Sequence, residues 1–256
     1  MQQRAEVVDP IVVSPSREKV IMPKLEGISV FVPAYNEEAN VERMVDAFRS
    51  VLPQVADDYE ILIVNDGSND KTREIADRLV KGDPSVRAVH HEKNQGYGVA
   101  VRSGIKACTK EYLFFTDGDG QFDVSQLSDL VPLLSGYDGV IGFRLNRQDP
   151  WVRKLNAWAW NRLVRLMFGL KVRDIDCAFK LLHRSVFKDI ELESSGAMIS
   201  TEMLVKIKDK GYRLQEVGVL HSPRLAGKQT GANLRVVLRA FKELFRFYRK
   251  FKETKR

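Results

Sequence analysis

Cysteine is scarce in this chain. Only Cys108 and Cys177 occur among its 256 residues, and no metal-type spacing joins them. That argues against a disulfide framework and a thiolate metal site, and for two free thiols in a reducing compartment. No apolar run is long enough to cross a bilayer, so no transmembrane helix is expected. The N-terminus lacks a basic start followed by an apolar core, so a secretory signal is not expected either. No G-x-G-x-x-G follows a strand-like run and no G-x-x-x-x-G-K-[ST] is present, which disfavours a dinucleotide oxidoreductase and a P-loop enzyme. Internal repeats and low-complexity tracts are also missing.

What is present suits one large domain with a full core. Basic side chains number 41 against 34 acidic ones, a net charge of +7. The excess is local, with Arg and Lys crowding the stretch from Arg235 to Arg256. Residues 1–26 contain Pro10, Pro15 and Pro23 without a clear period and read as an extended arm.

A rhythm begins near residue 28. Continuous apolar runs, ISVFVPA, YEILIVN, VRAVHH, EYLFFT and DGVIGFR, alternate with segments of helical spacing. One such segment places Val41, Met44, Val45, Phe48, Val51 and Leu52 at threes and fours. SQLSDLVPLL is expected to be a helix as well. The alternation predicts an α/β fold with a mainly parallel sheet flanked by helices. In such sheets a ligand sits beyond the carboxyl ends of the strands. The segments there are PAYNEE, NDGSND, HEKNQGYG, DGDGQFD and FRLNRQ, all polar and rich in Asp, Asn and Glu.

The sharpest of these is FFTDGDGQFD, where a buried strand runs into Asp117, Asp119 and Asp123 with no basic residue nearby. Carboxylates that close repel unless a cation lies among them. Mg²⁺ or Mn²⁺ fits, because hard cations take oxygen ligands and Mg²⁺ commonly binds one or two carboxylates plus substrate phosphates. The other strand ends suit a nucleotide. Pro33, Ala34 and Tyr35 offer a rigid turn and an aromatic face. Glu37 and Asp66 could accept from a base edge or ribose hydroxyls, and Gly67 and Ser68 let the backbone come close. The glycines of NQGYG before a helix are a possible anion site.

Seven ordered motifs then carry a family resemblance: VPAYNE, VNDGSND, NQGYGVAVRSG, TDGDGQFD, GFR, RDIDCAFK and HSPRLAG. In that order they resemble the inverting family 2 glycosyltransferases of GT-A fold, and most of all the polyprenyl- or dolichyl-phosphate sugar transferases. The resemblance covers about residues 27–232, which would be the catalytic domain. It implies that Pro33, Ala34, Tyr35, Glu37, Val64, Asp66, Asp117 and Gly118 line the nucleotide sugar. Asp117, Asp119 and Gln121 would hold the metal with the diphosphate, and Arg224 would meet the donor diphosphate. Arg144 and Arg153 would meet the acceptor phosphate. The family's Arg-x-x-Gly-x-Ser-Lys stands here as Arg224-Leu-Ala-Gly-Lys-Gln-Thr230, so its lysine is displaced to Lys228.

The implied reaction moves a hexose, from GDP-mannose or UDP-glucose, to a polyprenyl phosphate at the cytoplasmic face of a membrane. A phosphate acceptor is already ionised near neutral pH and needs positioning more than deprotonation. A hydroxyl acceptor, the alternative, needs a general base, for which Asp174, Asp176 and Glu202 are candidates beside the metal-binding Asp119. Glu202 could equally be a charge placed at a helix start. A non-catalytic membrane or nucleic-acid module would suit the basic tail alone. Acids around a cleft repel phosphodiester backbones, so nucleic acid is not expected. In residues 233–256, Leu234, Val237, Leu238, Phe241, Leu244, Phe245 and Tyr248 form a stripe between basic faces. Such a helix either lies in an anionic membrane interface or packs on the domain. WVRKLNAWAWNRLVRLMF is open to the same two readings.

Overall fold

The computed structural model describes residues 24–145, 151–223 and 234–253, with side chains from Leu155 onward in the first helix of the second segment and from Ala240 onward in the last. Seven strands form one sheet: β1 Leu25–Ala34, β2 Ala56–Asn65, β3 Val86–His90, β4 Tyr112–Thr116, β5 Gly139–Leu145, β6 Phe179–His183 and β7 Leu214–Leu220. Their spatial order is β3-β2-β1-β4-β6-β5-β7. Strand β6 runs antiparallel to both its neighbours and every other pairing is parallel. The helices are α1 Val41–Val55, α2 Thr72–Gly82, α3 Tyr97–Ala107, the single turn α4 Leu127–Leu130, α5 Trp151–Phe168, α6 Ile199–Asp209 and α7 Leu234–Glu253.

The parallel half follows from its sequence. Residues 30–34 of β1 and 61–64 of β2 are unbroken apolar runs because helices cover the sheet on its faces. In α1 the residues at threes and fours, Val41 to Leu52, are the buried ones. Phe31 stacks on Phe115 at 5.1 Å between centroids, while Phe114 meets Phe48 and Phe179 edge-on, tying β1, β4, β6 and α1 into one core. The chain winds outward from β1 through β2 to β3, then returns through α3 to β4 on the other side of β1. The loops after β1 and β4 therefore part from each other at a switch point, where crevices form.

One expected helix is not regular. Residues 124–134 fold as a 3₁₀ turn, the one-turn α4 and a second 3₁₀ turn. Pro132 lies in the second turn, and its missing N–H and its ring oppose a continuous α-helix there.

From Phe241 onward the final helix packs on the body through Phe241, Leu244, Phe247, Tyr248 and Phe251, while Phe245 of the expected stripe faces outward. Leu244 is fully buried. Phe241 meets Trp160 of α5, and Phe247, Tyr248 and Phe251 surround Phe168. Lys206 of α6 lies over the Phe247 ring, and Lys250 pairs with Glu193 at 2.5 Å. The outward face keeps Lys242, Phe245, Arg246, Arg249 and Lys252. Both cysteines are free and buried, and burial pushes each thiol up to about 12.

Candidate active site

The ends of β1, β2 and β4 converge. A Cβ on Gly118 would stand 2.8 Å from the Pro33 carbonyl oxygen, so the DGD turn lies directly against the end of β1 and admits no side chain there. Gly67 has φ +66°, and a Cβ on it would meet the backbone of Lys93 and Asn94 at 2.3–2.6 Å. Only glycine fits that turn in both conformation and space.

The carboxylates around this crevice fall into two kinds. Asp66 is buried with its oxygens engaged: Oδ1 accepts from the Gln95 N–H and faces His91 Nδ1 at 2.7 Å, while Oδ2 accepts from the Gly96 N–H. It fixes the turn that starts α3. Glu37 is also buried; its Oε2 accepts from Asn40 Nδ2 at 2.6 Å, and its backbone N–H donates to Thr72. Glu202 lies buried in the first turn of α6. Its two oxygens accept the N–H groups of Glu193 and Ser194, and Lys206 pairs with it at 2.7 Å. The Ser195 carbonyl then accepts from the Gly98 N–H of α3. Glu202 thus braces the segment behind α3, which makes it a scaffold group in this structure and not a base facing a substrate.

Asp174, the next candidate base, is held by Arg144 in a two-pronged pair at 2.6 and 2.8 Å, with both side chains about one-tenth exposed. The same contact fills the guanidinium fork that sequence reasoning assigned to the acceptor phosphate. Asp174 keeps Arg144 firmly charged against the cost of its burial. Of the three candidate bases, Asp176 is the one that stays half-exposed.

Asp117 and Asp119 are the other kind. The Tyr97 hydroxyl donates to Asp117 Oδ1 at 2.9 Å, and the Gln121 N–H donates to Asp119 Oδ1 at 3.1 Å. Burial and the neighbouring charge of Asp119 push the Asp117 carboxyl up to about 7. Burial and the charges of Asp117, Asp119 and Asp176 also raise the Tyr97 phenol well above its usual value. The turn is tied to the far side of the sheet: Gln121 Nε2 donates to the Ser222 carbonyl, the Ser222 N–H donates back to Gln121, and Phe122 bridges to His221. The Gln121 amide is thus turned toward backbone.

Beneath this turn lies a residue that sequence reasoning missed. Lys180 of β6 is fully buried, paired in register with Phe115, and its ammonium donates to the Cys177 carbonyl. Burial lowers its pKa, while the charges of Asp174, Asp176 and Asp117 oppose that. Within an apolar strand, FKLLH, a lone lysine reads as a snorkelling edge residue. Its position shows only once β6 is placed antiparallel beside β4. Tyr97 was passed over for a similar reason, as a helix-start residue among glycines.

Four carboxylates, Asp117, Asp119, Asp174 and Asp176, thus act on one another's surroundings, with Arg144 and Lys180 as the cations among them. Among the described residues no three His, Cys, Asp or Glu side chains form a complete metal cage. Two acids that repel each other at the end of β4 fit a Mg²⁺ or Mn²⁺ that arrives with substrate phosphates and completes its shell from them. Asp117 and Asp119 are the residues that would hold it.

The remaining assignments divide. Pro33 and Ala34 are buried at the end of β1 and Tyr35 is exposed beyond it, with Asn69 Nδ2 at 3.5 Å from its hydroxyl. Val64 is wholly buried in register with Pro33, so its side chain belongs to the core and not to the crevice wall. Arg153 lies in the first turn of α5, where side chains are not described, and Arg224 and Lys228 lie outside the described residues.

A doubly wound parallel half, an antiparallel β6 and an acid turn at the switch point define the GT-A fold. Residues 29–191 match the model of Glycosyl transferase family 2, and the chain belongs to that family. It is 34% identical over 209 residues to Glycosyltransferase AglD of Haloferax volcanii, which covers 77% of this chain and 33% of that protein. It is 30% identical over 169 residues to the Dodecaprenyl-phosphate galacturonate synthase of Rhizobium johnstonii, covering 64% and 50%. The chain therefore spans a third to a half of these two relatives. With the Polyprenol monophosphomannose synthase of Mycolicibacterium smegmatis it shares 28% identity over 242 residues, covering 89% and 86%. Among solved structures, a glucosyl-3-phosphoglycerate synthase of Mycobacterium tuberculosis, in complex with Mn²⁺, uridine diphosphate and glucosyl-3-phosphoglycerate, superimposes with a TM-score of 0.63 at 22% identity, over 79% of this chain and 73% of that one.

Proposed function

We propose that this chain transfers a hexose from a nucleotide sugar, GDP-mannose or UDP-glucose, to a polyprenyl phosphate. The observation that carries the reading is the mutual repulsion of Asp117 and Asp119 in the crevice where β1 and β4 part, which together with burial pushes the Asp117 carboxyl up to about 7. The relatives named for dodecaprenyl phosphate and polyprenol support the acceptor class. When bound, a Mg²⁺ or Mn²⁺ on the two acids supplies positive charge against the leaving diphosphate. The chain's own residues do the rest. The turns held by Gly67 and Asp66 shape the nucleotide side, and Tyr97 fixes the orientation of Asp117. Lys180 steadies the acids from below. Arg224 and Lys228 are proposed donor-diphosphate contacts, and Arg153 an acceptor-phosphate contact. For Arg144 to touch that phosphate it would share its fork with Asp174. A phosphate acceptor needs no base. A hydroxyl acceptor would need one, and Asp176 would be it.

One surface of the chain, on α5, suits a lipid. On α5, Leu155, Trp158 and Leu166 are 50–70% exposed. Next to them Trp158, Arg162, Arg165 and Arg173 line a cavity of about 350 Å³. Apolar side chains beside arginines are the composition of an interfacial helix that meets anionic headgroups. No helix among the described residues is long and apolar enough to cross a membrane. The membrane contact proposed here is peripheral, through α5 and the outward basic face of α7.

The test is transfer itself. Full-length protein with Mn²⁺, polyprenyl phosphate and either GDP-mannose or UDP-glucose should convert one donor to an organic-extractable sugar phosphate. Sugar appearing only on soluble hydroxyl acceptors would defeat the lipid assignment.

A further inference from the structure

A second cationic cavity lies away from the acid turn. It measures about 410 Å³ and opens between the later part of α3 and the segment from Arg184 to Leu192. That volume is within the range of small-molecule sites, about 300–1,000 Å³. Tyr97 starts α3 at Asp117, and Lys106 stands nine residues on, about 14 Å along the axis at 1.5 Å per residue. This cavity is therefore separate from the crevice described above.

Its lining is strongly basic. Arg102, Lys106, Arg184 and Lys188 line it against a single carboxylate, Glu191. Among the described residues none of the four cations forms an ion pair. Arg102 spends Nη1 on the Leu192 carbonyl at 3.1 Å, and its Nε is enclosed without a hydrogen-bond partner. Enclosed donors are nearly always satisfied, so an acceptor at this place would complete the group. Cys108 also lines the cavity but contributes no charge, since burial pushes its thiol up to about 12. Elsewhere in the molecule Arg49, Arg87, Arg144 and Lys250 each find a carboxylate. Arg102 is half-buried like Arg49 and Arg144, yet it meets a carbonyl and no carboxylate among the described residues.

The geometry points to a binding site for a small, soluble, phosphorylated ligand. Guanidinium groups meet phosphate oxygens with paired N–H donors, and lysines add point charge. Phe187 and Ile190 give the cavity an apolar wall for the uncharged part of the ligand. A lipid headgroup carries the same phosphate chemistry. Among the described residues none of the large exposed apolar side chains borders this cavity, however, and those of α5 and α7 are not in its lining. That favours a ligand from solution.

The probe is pyrophosphate, titrated by calorimetry into the full-length protein with chelator present, so that no divalent cation recruits it to Asp117 and Asp119. Binding is expected for the unaltered protein. The double variant Arg184→Gln/Lys188→Gln changes two exposed side chains outside the proposed active site and should weaken binding at least tenfold with an unchanged circular dichroism spectrum. Arg162→Gln/Arg165→Gln, at the α5 cavity, should leave it unchanged. Phosphatidic acid vesicles should not displace the probe. Equal affinity in the first variant, loss confined to the second, or displacement by the vesicles would each overturn the assignment. So would absence of pyrophosphate binding together with a change of oligomeric state in Arg184→Gln/Lys188→Gln, which would make this face a contact between copies of the chain.

Discussion

Asp66 and Asp117 stand at the ends of two strands of the same sheet, both largely enclosed, and they behave in opposite ways. Asp66 is surrounded by donors: two backbone N–H groups and the His91 ring. Asp117 accepts from one phenol and lies beside a second carboxylate, and burial with that like charge outweighs the pull of Arg144 and Lys180. Burial and a like charge disfavour the ionised form of Asp117. The difference separates scaffold from receiver. A carboxylate whose oxygens already hold the backbone shapes the crevice, and one left short of positive charge is where a cation belongs. The oxygens of Glu202 and Asp174 are likewise spent, on backbone N–H groups with Lys206 and on Arg144.

Removing a receiver should abolish ligand binding and spare the fold. Asp119→Ala is expected to lower nucleoside diphosphate affinity by a hundredfold or more in Mn²⁺, with a melting temperature within a few degrees of the original, read by calorimetry and thermal denaturation. Removing a scaffold partner should do the reverse. Arg144→Ala removes the two-pronged pair that Asp174 makes in the interior and should cost about 3–5 kcal/mol in denaturant unfolding, the usual penalty for breaking such a pair. A loss below about 1 kcal/mol would mean that Asp174 is wetter than the structure shows.

The pH dependence sharpens the contrast further. The Asp117 carboxyl, near 3.8 when unfolded, is raised to about 7 in the metal-free fold. The fold therefore favours its protonated form, and this favourable contribution is complete below pH 4 and lost as pH rises through 7. Asp117→Asn should accordingly stabilise the metal-free protein at pH 8 by roughly 1–3 kcal/mol, since each pKa unit is worth about 1.4 kcal/mol. It should bring no gain at pH 4. Stabilisation of equal size at both values would remove the like-charge explanation.

Asp176 tests the acceptor. If the acceptor is a phosphate, Asp176→Asn should change turnover by less than about tenfold. A fall of 10²–10⁴, the usual worth of a general base, would favour a hydroxyl acceptor. The smallest effect concerns membrane residence. Trp158→Ala/Leu166→Ala should reduce sedimentation with anionic liposomes by about tenfold, because each large apolar side chain buried is worth roughly 1.5–3 kcal/mol before losses from partial immersion. Soluble donor binding should not change.

Much of the crevice was legible in the sequence because it depends on local order. Apolar runs ending in polar turns place the strand ends, and two acids one residue apart beside glycines mark the receiver. What could not be read depends on who sits opposite whom. Glu202 has an ordinary helix-start position, and only the fold of residues 193–196 shows both its oxygens bracing the backbone behind α3. Arg144 and Asp174 are thirty residues apart in the chain, and their pairing follows from the path of the chain between β5 and β6. Lys180 is hidden by the antiparallel turn of β6. Two helices looked alike as amphipathic segments. One, α7, spends Phe241, Leu244 and Phe247 on the body, while α5 leaves Trp158 and Leu166 outside. Hydrophobic spacing fixes the period of a helix and does not say which surface its stripe meets.

The most direct test of the receiver at Asp117 and Asp119 is calorimetric titration of the full-length protein with UDP and with GDP, each in Mn²⁺ and again in excess chelator. Tight binding of one nucleotide in Mn²⁺, lost in chelator and lost in Asp119→Ala, is the expected result. Equal affinity with and without the metal would contradict it.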